Sequence, residues 1–275
     1  MTTKKHIKIR NITIGNDLPF VLIAGPCQME SREHAFTMAD MVTAPTQKLV
    51  EELNSYGLKN ALLLLNGIDF SKFECTKEEV GAFRKKYNPH NKKTIAYVGR
   101  ISFEKRIDQL IHAFSLIEAP DRQLLIVGGG PYVPEFKKLA HALGIKNITF
   151  TGFVQQHQLG PAYRSADIFA SASDSETFGL TFVEAMHCGI PVVAVRRLGP
   201  IEVVQNGKTG LLVRPGDISA FAKAMEKLLD DDKSRLLMGK AAKKSSEKYA
   251  IEKSVAMTVC LYEELLQKHR GGKVS

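Results

Sequence analysis

The chain has 275 residues, 44% of them hydrophobic and 24% charged, which is the composition of a folded globular protein and excludes a chain disordered along its length. The apolar runs, such as 19–24 and 61–65, are shorter than the about 20 residues of a membrane span and do not resemble a secretory signal, so we expect a cytoplasmic protein. The net charge of +9 comes mostly from residues 84–106, where eight basic residues accompany one acidic residue, Glu104.

From residue 92 onward the chain alternates short apolar runs with amphipathic segments. Strands are predicted over 94–98, 123–127, 148–151, 168–172, 191–195 and 211–213, and helices over 107–114, 133–143, 181–188, 218–229 and 233–249. Because the strands are continuously apolar and alternate with helices, they predict a parallel sheet covered on both faces. We therefore expect an α/β protein with a Rossmann-like, doubly wound parallel sheet over 92–250, followed by a C-terminal helix and tail over 251–275.

The residues that follow each predicted strand are the first place to search for a site. Ligands of such sheets bind at the carboxyl ends of the strands, where glycine-rich turns and helix N-termini gather. The segments that follow the first four strands are Gly99-Arg100, Gly128-Gly-Gly-Pro131, Gly152-Phe-Val154 and Ser173-Asp-Ser-Glu-Thr-Phe-Gly-Leu180. Each of them carries glycine, charged or hydroxyl-bearing residues, as a binding site would.

The basic segment 84–106 supplies two candidate phosphate ligands. Arg100 and Lys105 lie in the loop that enters the helix predicted from residue 107. Two cations beside a helix N-terminus suit a diphosphate, because the free N–H groups and the helix dipole add to the charges. The alternative is two solvent-facing cations that flank a turn, and Arg84, Lys85 and Lys86 are expected to be such a solvated face.

The basic segment also raises the question of larger partners. Such clusters bind nucleic acids or anionic membrane surfaces as well as phosphorylated ligands. No zinc-finger spacing, RNA-binding aromatic motif or basic helix-turn-helix pattern accompanies this one, so we expect no nucleic-acid partner. Peripheral contact with the inner membrane surface stays open.

Two glutamates, Glu176 and Glu184, stand eight positions apart across the turn after the fourth strand. The first is predicted in the loop, where it can accept hydrogen bonds from sugar hydroxyls, and the second inside the next helix, where it can bind a ribose diol. The amides of 178–181 between them are helix-start donors suited to phosphate oxygens. A capping glutamate followed by an ordinary helical glutamate is the alternative interpretation.

From about residue 39 to the C-terminus the chain resembles the retaining family-4 glycosyltransferases of the GT-B fold. The matching segments are Asn66-Gly-Ile-Asp-Phe70, Tyr97-Val-Gly-Arg-Ile-Ser-Phe-Glu-Lys105, Gly128-Gly-Gly-Pro131, Thr151-Gly-Phe-Val154, Glu176-Thr-Phe-Gly-Leu-Thr-Phe-Val-Glu184, Gly189-Ile-Pro-Val-Val193 and Asn206-Gly-Lys-Thr-Gly-Leu-Leu-Val213. Two departures occur: Leu65 stands where proline is usual, and Leu198-Gly199-Pro200 replaces the usual double glycine before Glu202.

The resemblance implies transfer of a hexosyl unit from a nucleotide sugar with retention of configuration, with no cofactor and no metal. It implies a catalytic set of Glu176 at the transferred sugar and Arg100 and Lys105 at the donor diphosphate. It places the ribose at Glu184 and the base at the backbone of Phe153 and Val154. The implied donor-binding residues are Gly99, Gly152, Phe153, Val154, Thr177, Phe178, Gly179, Leu180, Thr181 and Glu184.

A GT-B enzyme needs two Rossmann-like halves, and here only the C-terminal half is expected to be complete. Residues 39–91 are interpreted as a remnant of the N-terminal half and its linker. The missing part would bind the acceptor, a saccharide or a lipid, and in many members brings a catalytic histidine. None of the eight histidines has a setting to replace it, and His187 is predicted to be packed or on the surface rather than catalytic. A partner chain or a homodimer is one way to complete the site.

Two alternative functions stay open from the sequence. The first is a non-catalytic nucleotide-sugar-binding module that needs a partner chain. The second is a sugar-nucleotide epimerase of the same fold, since such enzymes also place carboxylates around a donor diphosphate. Transferred sugar, unchanged ligand or an epimer would distinguish the three functions.

Residues 1–38 do not belong to the glycosyltransferase pattern. The segment Ile12-Thr-Ile-Gly-Asn-Asp-Leu-Pro-Phe-Val-Leu-Ile-Ala-Gly-Pro-Cys-Gln-Met-Glu-Ser31 resembles the start of 3-deoxy-manno-octulosonate-8-phosphate synthase, a TIM-barrel enzyme of the aldol type. In its metal-dependent members the corresponding cysteine, here Cys27, is a ligand. One strand and half a helix cannot close a barrel, so Cys27 is predicted to be a structural or free thiol. The other cysteines, Cys75, Cys188 and Cys260, are too widely spaced for a zinc ribbon.

Overall fold

The computed structural model describes residues 41–58, 61–117 and 119–271, together with the strands at 6–9, 12–15 and 23–24. The chain divides into two compact units, residues 1–67 with 251–275 and residues 68–250. The smaller unit carries the two ends of the chain, and the larger one carries every residue predicted to bind a ligand.

The smaller unit begins with an antiparallel pair, β1 (His6–Ile9) and β2 (Ile12–Gly15). A second, parallel sheet has the order β3 (Ile23–Ala24), β4 (Met41–Ala44), β5 (Ala61–Leu63). Helix α1 (Gln47–Ser55) connects β4 to β5 and begins after Thr46, whose hydroxyl accepts a hydrogen bond from the amide of Leu49 at 3.3 Å. The segment that follows residue 41 therefore forms a strand and a helix.

The larger unit contains the sheet that positions the site. Its strands are β6 (Lys93–Val98), β7 (Arg122–Val127), β8 (Ile148–Gly152), β9 (Ile168–Ser171), β10 (Val192–Val195) and β11 (Gly210–Val213). All pairings are parallel, and the spatial order is β11-β10-β9-β6-β7-β8. This is the order of a doubly wound Rossmann-like sheet, which confirms the predicted fold.

The helices of this unit alternate with its strands. They are α2 (Lys77–Tyr87), α3 (Ile107–Ser115), α4 (Val133–Ala142), α5 (Gln156–Arg164), α6 (Leu180–His187), α7 (Gly199–Val203), α8 (Ile218–Asp230) and α9 (Asp232–Ser246). Short 3-10 helices cover Phe70–Phe73, Phe103–Lys105 and Glu247–Tyr249. The predicted C-terminal helix is present as α10 (Ile251–Gly271), which belongs to the smaller unit.

The core of the larger unit follows from the apolar runs of the sequence. Strands β7, β9 and β10 are buried at every position, as expected for a sheet covered on both faces. The spacing that predicted α3 is also confirmed, because Ile107, Leu110, Ile111 and Phe114 are at most 5% exposed and join one hydrophobic cluster with the sheet. This burial holds the strand ends, and the loops that follow them, in fixed positions.

Three helices of the larger unit were not predicted. Helix α2 begins at a capping box in which Thr76 and Glu79 exchange side-chain and backbone hydrogen bonds. Helix α5 contains Gly160 and Pro161, two residues that interrupt a helical pattern in sequence. Gly160 is required there by packing, because a Cβ at this position would lie 2.5 Å from the carbonyl oxygen of Phe73. Helix α7 is only five residues long.

Leu198, one of the two departures from the family pattern, has φ 49° and ψ −130°, a conformation that disfavours residues with a Cβ. We expect Leu198→Gly to be more stable than Leu198→Ala by about 1–2 kcal/mol, because only glycine adopts this backbone without strain. At an ordinary helix or strand position alanine is the more stable of the two by about 0.5–1 kcal/mol. Chemical denaturation of the two variants measures the difference, and a more stable alanine variant would contradict the strain at this residue.

Candidate functional site

The candidate site lies where the strand order of the sheet reverses, between β6 and β9. In open α/β sheets the connections from two such neighbouring strands leave toward opposite faces and open a crevice at their carboxyl ends. Arg100 follows β6 and Glu176 follows β9, so the crevice is flanked by the two segments that the sequence singled out. Sequence patterns alone do not specify which strands are neighbours.

A cleft of about 590 Å³ opens at this edge of the sheet, within the size range of small-molecule sites. It is lined by Val98, Gly99, Arg100, Val127, Gly128, Gly129, Phe153, Val154, Gln155, Gln156, Leu159, Thr181 and Glu184. The predicted site residues among them are Gly99, Arg100, Phe153, Val154, Thr181 and Glu184. The predicted residues that are not among those lining the cleft are Lys105, Gly152, Glu176, Thr177, Phe178, Gly179 and Leu180.

Lys105 and Glu176 are brought together by the fold although 71 positions separate them. The ammonium of Lys105 donates a hydrogen bond to Oε1 of Glu176 at 2.6 Å, and the side chains are 22% and 19% exposed. A pair this short and this shielded is stronger than an ordinary surface ion pair. Two of the three predicted catalytic residues, Lys105 and Glu176, therefore form one unit across the switch point of the sheet.

Arg100 has a different partner from Lys105. Its guanidinium donates to Glu104 at 2.8 Å, and its side chain is 70% exposed. The carbonyl of Arg100 accepts a hydrogen bond from the buried Tyr97 hydroxyl at 2.9 Å, and burial raises the pKa of Tyr97. Each of the two cations predicted at the diphosphate therefore already faces a carboxylate, Arg100 that of Glu104 and Lys105 that of Glu176.

The N-terminus of α6 supplies backbone donors next to the cleft. Gly179 precedes the helix at φ 85°, and a Cβ there would lie 2.2 Å from the ring of Phe182. Within the described part of the chain, no acceptor is within hydrogen-bonding distance of the amides of residues 179–181. Such N–H groups are ready donors to an anion, as predicted from the sequence.

Contacts with Gly199 and Tyr249 fix the loop that precedes α6. The amide of Gly199 donates to the carbonyl of Glu176 at 2.8 Å, and a Cβ on Gly199 would overlap the backbone of Phe178. The Phe178 side chain is buried edge-on against Tyr249, with ring centroids 5.4 Å apart, so only its backbone remains available to a ligand. For Thr177 the structure adds no contact to the prediction.

Glu184 is half-buried and lines the cleft from α6. Its Oε2 accepts a hydrogen bond from the hydroxyl of Tyr163 at 2.7 Å. Burial raises the pKa of Glu184, and the hydrogen bond from Tyr163 works in the opposite direction. The alternative of an ordinary, solvent-exposed helical glutamate does not fit this environment.

Phe153 and Val154 occupy the wall of the cleft beyond β8. Gly152, at φ 73°, turns the chain out of the strand, and its carbonyl accepts a hydrogen bond from Gly128 at 3.1 Å. The Phe153 side chain is 80% exposed, whereas that of Val154 is 7% exposed. An exposed aromatic ring at the edge of a cleft offers a stacking surface as well as the backbone groups that were predicted.

Sequence reasoning missed the part of the cleft built by α5. Gln155, Gln156 and Leu159 lie at the start of this helix and line the cleft. They follow β8 directly, so the rule that pointed to Gly152 and Phe153 extends to them. The unpredicted helix concealed them, because the breaks at Gly160 and Pro161 obscure its pattern.

The basic segment does not form one continuous free surface. Lys92 donates to Asn147 at 2.5 Å, Lys93 to the carbonyl of Leu229 at 2.5 Å, and Arg84 to the carbonyl of Ser165 at 3.2 Å. Lys85 and Lys86 are exposed at the end of α2, as expected for a solvated face. None of the described helices is both long enough and apolar enough to cross a membrane.

His187 and the three cysteines that the structure describes do not line the cleft. The ring of His187 stacks on that of Phe70 with centroids 3.9 Å apart, so of the two settings predicted for it the structure shows the packed one, and burial lowers its pKa. Cys75, Cys188 and Cys260 are free thiols. Cys27 lies outside the described residues.

Two family models match the chain. The model described as glycosyl transferases group 1 matches residues 80–245, which include the whole cleft. The model of the DAHP synthetase I family matches residues 2–56, a range that contains the segment interpreted as the start of a synthase and extends past residue 38.

Several curated relatives of the chain are named as glycosyltransferases. Sulfoquinovosyl transferase of Arabidopsis thaliana is 34% identical over 218 residues, which is 77% of this chain and 42% of the relative. D-inositol 3-phosphate glycosyltransferase of Corynebacterium jeikeium is 38% identical over 255 residues, 85% of this chain and 59% of the relative. The chain thus spans about half the length of the curated relatives it matches.

Solved structures share the fold. HepE of Anabaena, in complex with UDP-glucose, has a TM-score of 0.78 and 23% identity, covering 84% of this chain and 66% of that one. Sucrose-phosphate synthase of Thermosynechococcus elongatus has a TM-score of 0.76 and 26% identity, covering 84% and 59%. These matches agree with the Rossmann-like architecture described above.

Proposed function

This chain belongs to the glycosyl transferases group 1 family, and we propose that residues 92–250 are the donor-binding half of a retaining hexosyltransferase of the GT-B type. The observation that supports the proposal most is the single cleft that joins Arg100, Phe153, Thr181 and Glu184 at the switch point of the sheet. The cleft combines a cation, a backbone donor at a helix N-terminus, an aromatic ring and a carboxylate, which are groups that a nucleotide sugar requires.

The diphosphate of the donor binds between the β6 loop and the N-terminus of α6. Arg100 and Lys105 provide positive charge, and the amides of residues 179–181 provide hydrogen bonds. Breaking the sugar–phosphate bond leaves a diphosphate with additional negative charge. Donors fixed in place before the reaction stabilise that charge more in the transition state than in the ground state.

Glu176 binds the transferred sugar. Its carboxylate is paired with Lys105 at 2.6 Å, so a donor that draws Lys105 toward its phosphates leaves Glu176 free for sugar hydroxyls. Glu184 binds the ribose, and the base lies against Phe153 and Val154. The UDP-glucose complex of HepE supports a nucleotide sugar as the ligand class.

Residues 1–91 lie outside the proposed donor half. Residues 39–91 are a remnant of the acceptor half and its linker, and residues 1–38 resemble the start of an aldol-type synthase. The acceptor is a saccharide or a lipid, held by a partner chain or by a second copy of this one. Holding the acceptor hydroxyl near the anomeric carbon, in the orientation for transfer, is worth about 7–11 kcal/mol of the barrier.

Binding of a donor to the purified chain tests the proposed function. A nucleotide sugar at one hundred times its Kd is expected to raise the free energy of unfolding by about 2.7 kcal/mol, because it binds only the folded state. The measurement is thermal unfolding with UDP-glucose, GDP-mannose and ADP-glucose and with the corresponding diphosphates. If none of these ligands shifts the melting temperature at millimolar concentration, the donor site is refuted.

The variant Glu176→Gln distinguishes the sugar from the nucleotide. We expect it to bind the nucleoside diphosphate at least as tightly as the wild type, since Lys105 is released from its carboxylate partner. It should lose the additional affinity for the complete nucleotide sugar and any slow hydrolysis of it. Glu135→Gln, which removes an exposed carboxylate from α4, is the matched control and should change neither property. Chromatography of the products separates transfer, hydrolysis and epimerisation.

A further inference from the structure

Tyr163 is a fully buried tyrosine, and among the described residues its hydroxyl has one hydrogen-bond partner. The residue is 0% exposed, and a buried hydroxyl requires a partner. That partner is Oε2 of Glu184 at 2.7 Å, on a different helix. Tyr163 itself is not among the residues that line the cleft.

The Tyr163 ring is held in place on two sides. It meets Phe73 edge-on and Phe169 at a tilt, with ring centroids 6.0 Å apart in both cases. Gly160, one turn earlier on α5, allows the backbone around Phe73 to approach the helix closely. The packing of the ring therefore fixes the position of the Tyr163 hydroxyl, and this hydroxyl in turn fixes the position of Oε2 of Glu184.

The other oxygen of Glu184 is available to a ligand. Among the described residues the only hydrogen bond to this carboxylate is the one from Tyr163, and it uses Oε2 alone. Glu184 lines the cleft together with Thr181, one turn earlier on α6. A carboxylate with one oxygen anchored presents the second in a fixed direction, and the lone pairs of that oxygen can accept hydrogen bonds from hydroxyl groups.

We propose that Tyr163 is a positioning residue that aims Glu184 at the ribose hydroxyls of the donor and so sets a preference for ribonucleotides over deoxyribonucleotides. This inference rests on the proposed function, in which Glu184 binds the ribose. Tyr163 touches no substrate and acts only through the carboxylate. Removing its hydroxyl leaves Glu184 free to rotate and the buried charge without its neutral donor.

A double-mutant cycle with two ligands tests this role. The ligands are whichever of UDP, GDP and ADP the wild type binds most tightly, and its 2′-deoxy counterpart. The variants are Tyr163→Phe, which keeps the ring and its packing, Glu184→Gln, and the double substitution. Isothermal titration measures Kd, and the melting temperature checks that each variant is folded.

The wild type is expected to prefer the ribonucleotide by about tenfold, the worth of one charge-assisted hydrogen bond. Tyr163→Phe should reduce this preference by about threefold or more while changing the affinity for the deoxynucleotide little. In the Glu184→Gln background the tyrosine substitution should have no further effect, because its action passes through the carboxylate.

Two results would overturn the role of Tyr163 alone. The first is an equal loss of affinity for both ligands, which indicates general support of the fold, and the second is additive effects in the double variant. If the wild type binds none of the three diphosphates, the proposed function fails and this inference fails with it. If the wild type binds but does not discriminate the two sugars, the assignment of Glu184 to the ribose is wrong.

Discussion

Replacing Lys105 with alanine is expected to weaken the binding of a nucleoside diphosphate by about 1.5–3 kcal/mol, or roughly 10- to 150-fold in Kd. One reason is the loss of a charge-assisted contact to phosphate. A second reason comes from the structure, because Lys105 lies 2.6 Å from Glu176 and both side chains are largely shielded from water. Without the ammonium, the carboxylate of Glu176 faces the incoming diphosphate uncompensated.

The second reason gives this prediction an internal check. In the double variant Lys105→Ala with Glu176→Gln, the repulsive charge is absent, so part of the lost affinity should return. Lys146→Ala, which removes an equal charge from an exposed position before β8, is the control and should bind like the wild type. Isothermal titration at low and high salt measures these affinities, and an unaltered Kd for Lys105→Ala would exclude it as a phosphate ligand.

Replacing Gly130 with alanine is expected to destabilise the larger unit by about 3 kcal/mol, the upper range for overpacking a rigid site. The added Cβ would lie 1.9 Å from the carbonyl oxygen of Ile101 and 2.6 Å from its carbonyl carbon. These are backbone atoms of a residue that is 0% exposed, and the amide of Ile101 is hydrogen-bonded to the carbonyl of Gly129 at 2.9 Å. Neither Gly130 nor Ile101 can move without breaking the contact between the loops that contain them.

The Gly130 substitution should affect the site as well as the fold. Ile101 adjoins Arg100, so a displaced loop moves a wall of the cleft and reduces donor affinity. Gly81→Ala is the control, because no packing contact requires a glycine at position 81. It lies inside α2 with no atom within 4 Å of the new Cβ, and the substitution should stabilise the protein by about 0.5–1 kcal/mol. Urea denaturation followed by circular dichroism compares the two, and equal stability of Gly130→Ala and the wild type would refute the steric argument.

The sequence by itself determined the six strands and five of the eight helices described in the larger unit, together with the loops that follow the strands. Continuous apolar runs such as 123–127 predicted buried parallel strands, and the spacing of residues 107–114 predicted α3. Local side-chain patterns carry this information because burial of a strand or a helix face is decided within a few residues. The same reasoning located Arg100, Phe153 and Glu184 at strand ends or in the helix that follows, where the cleft is found.

Only the tertiary structure decided which of these residues meet. The strand order places β6 beside β9, and this brings Lys105 into contact with Glu176. Arg100 pairs instead with Glu104, which lies in its own loop. No local pattern records which strand is the neighbour of another, because the pairing is settled by the packing of the whole sheet. The contact between Tyr163 and Glu184 arises in the same way. The two residues lie on different helices, and the sequence of neither helix indicates that the two helices pack together.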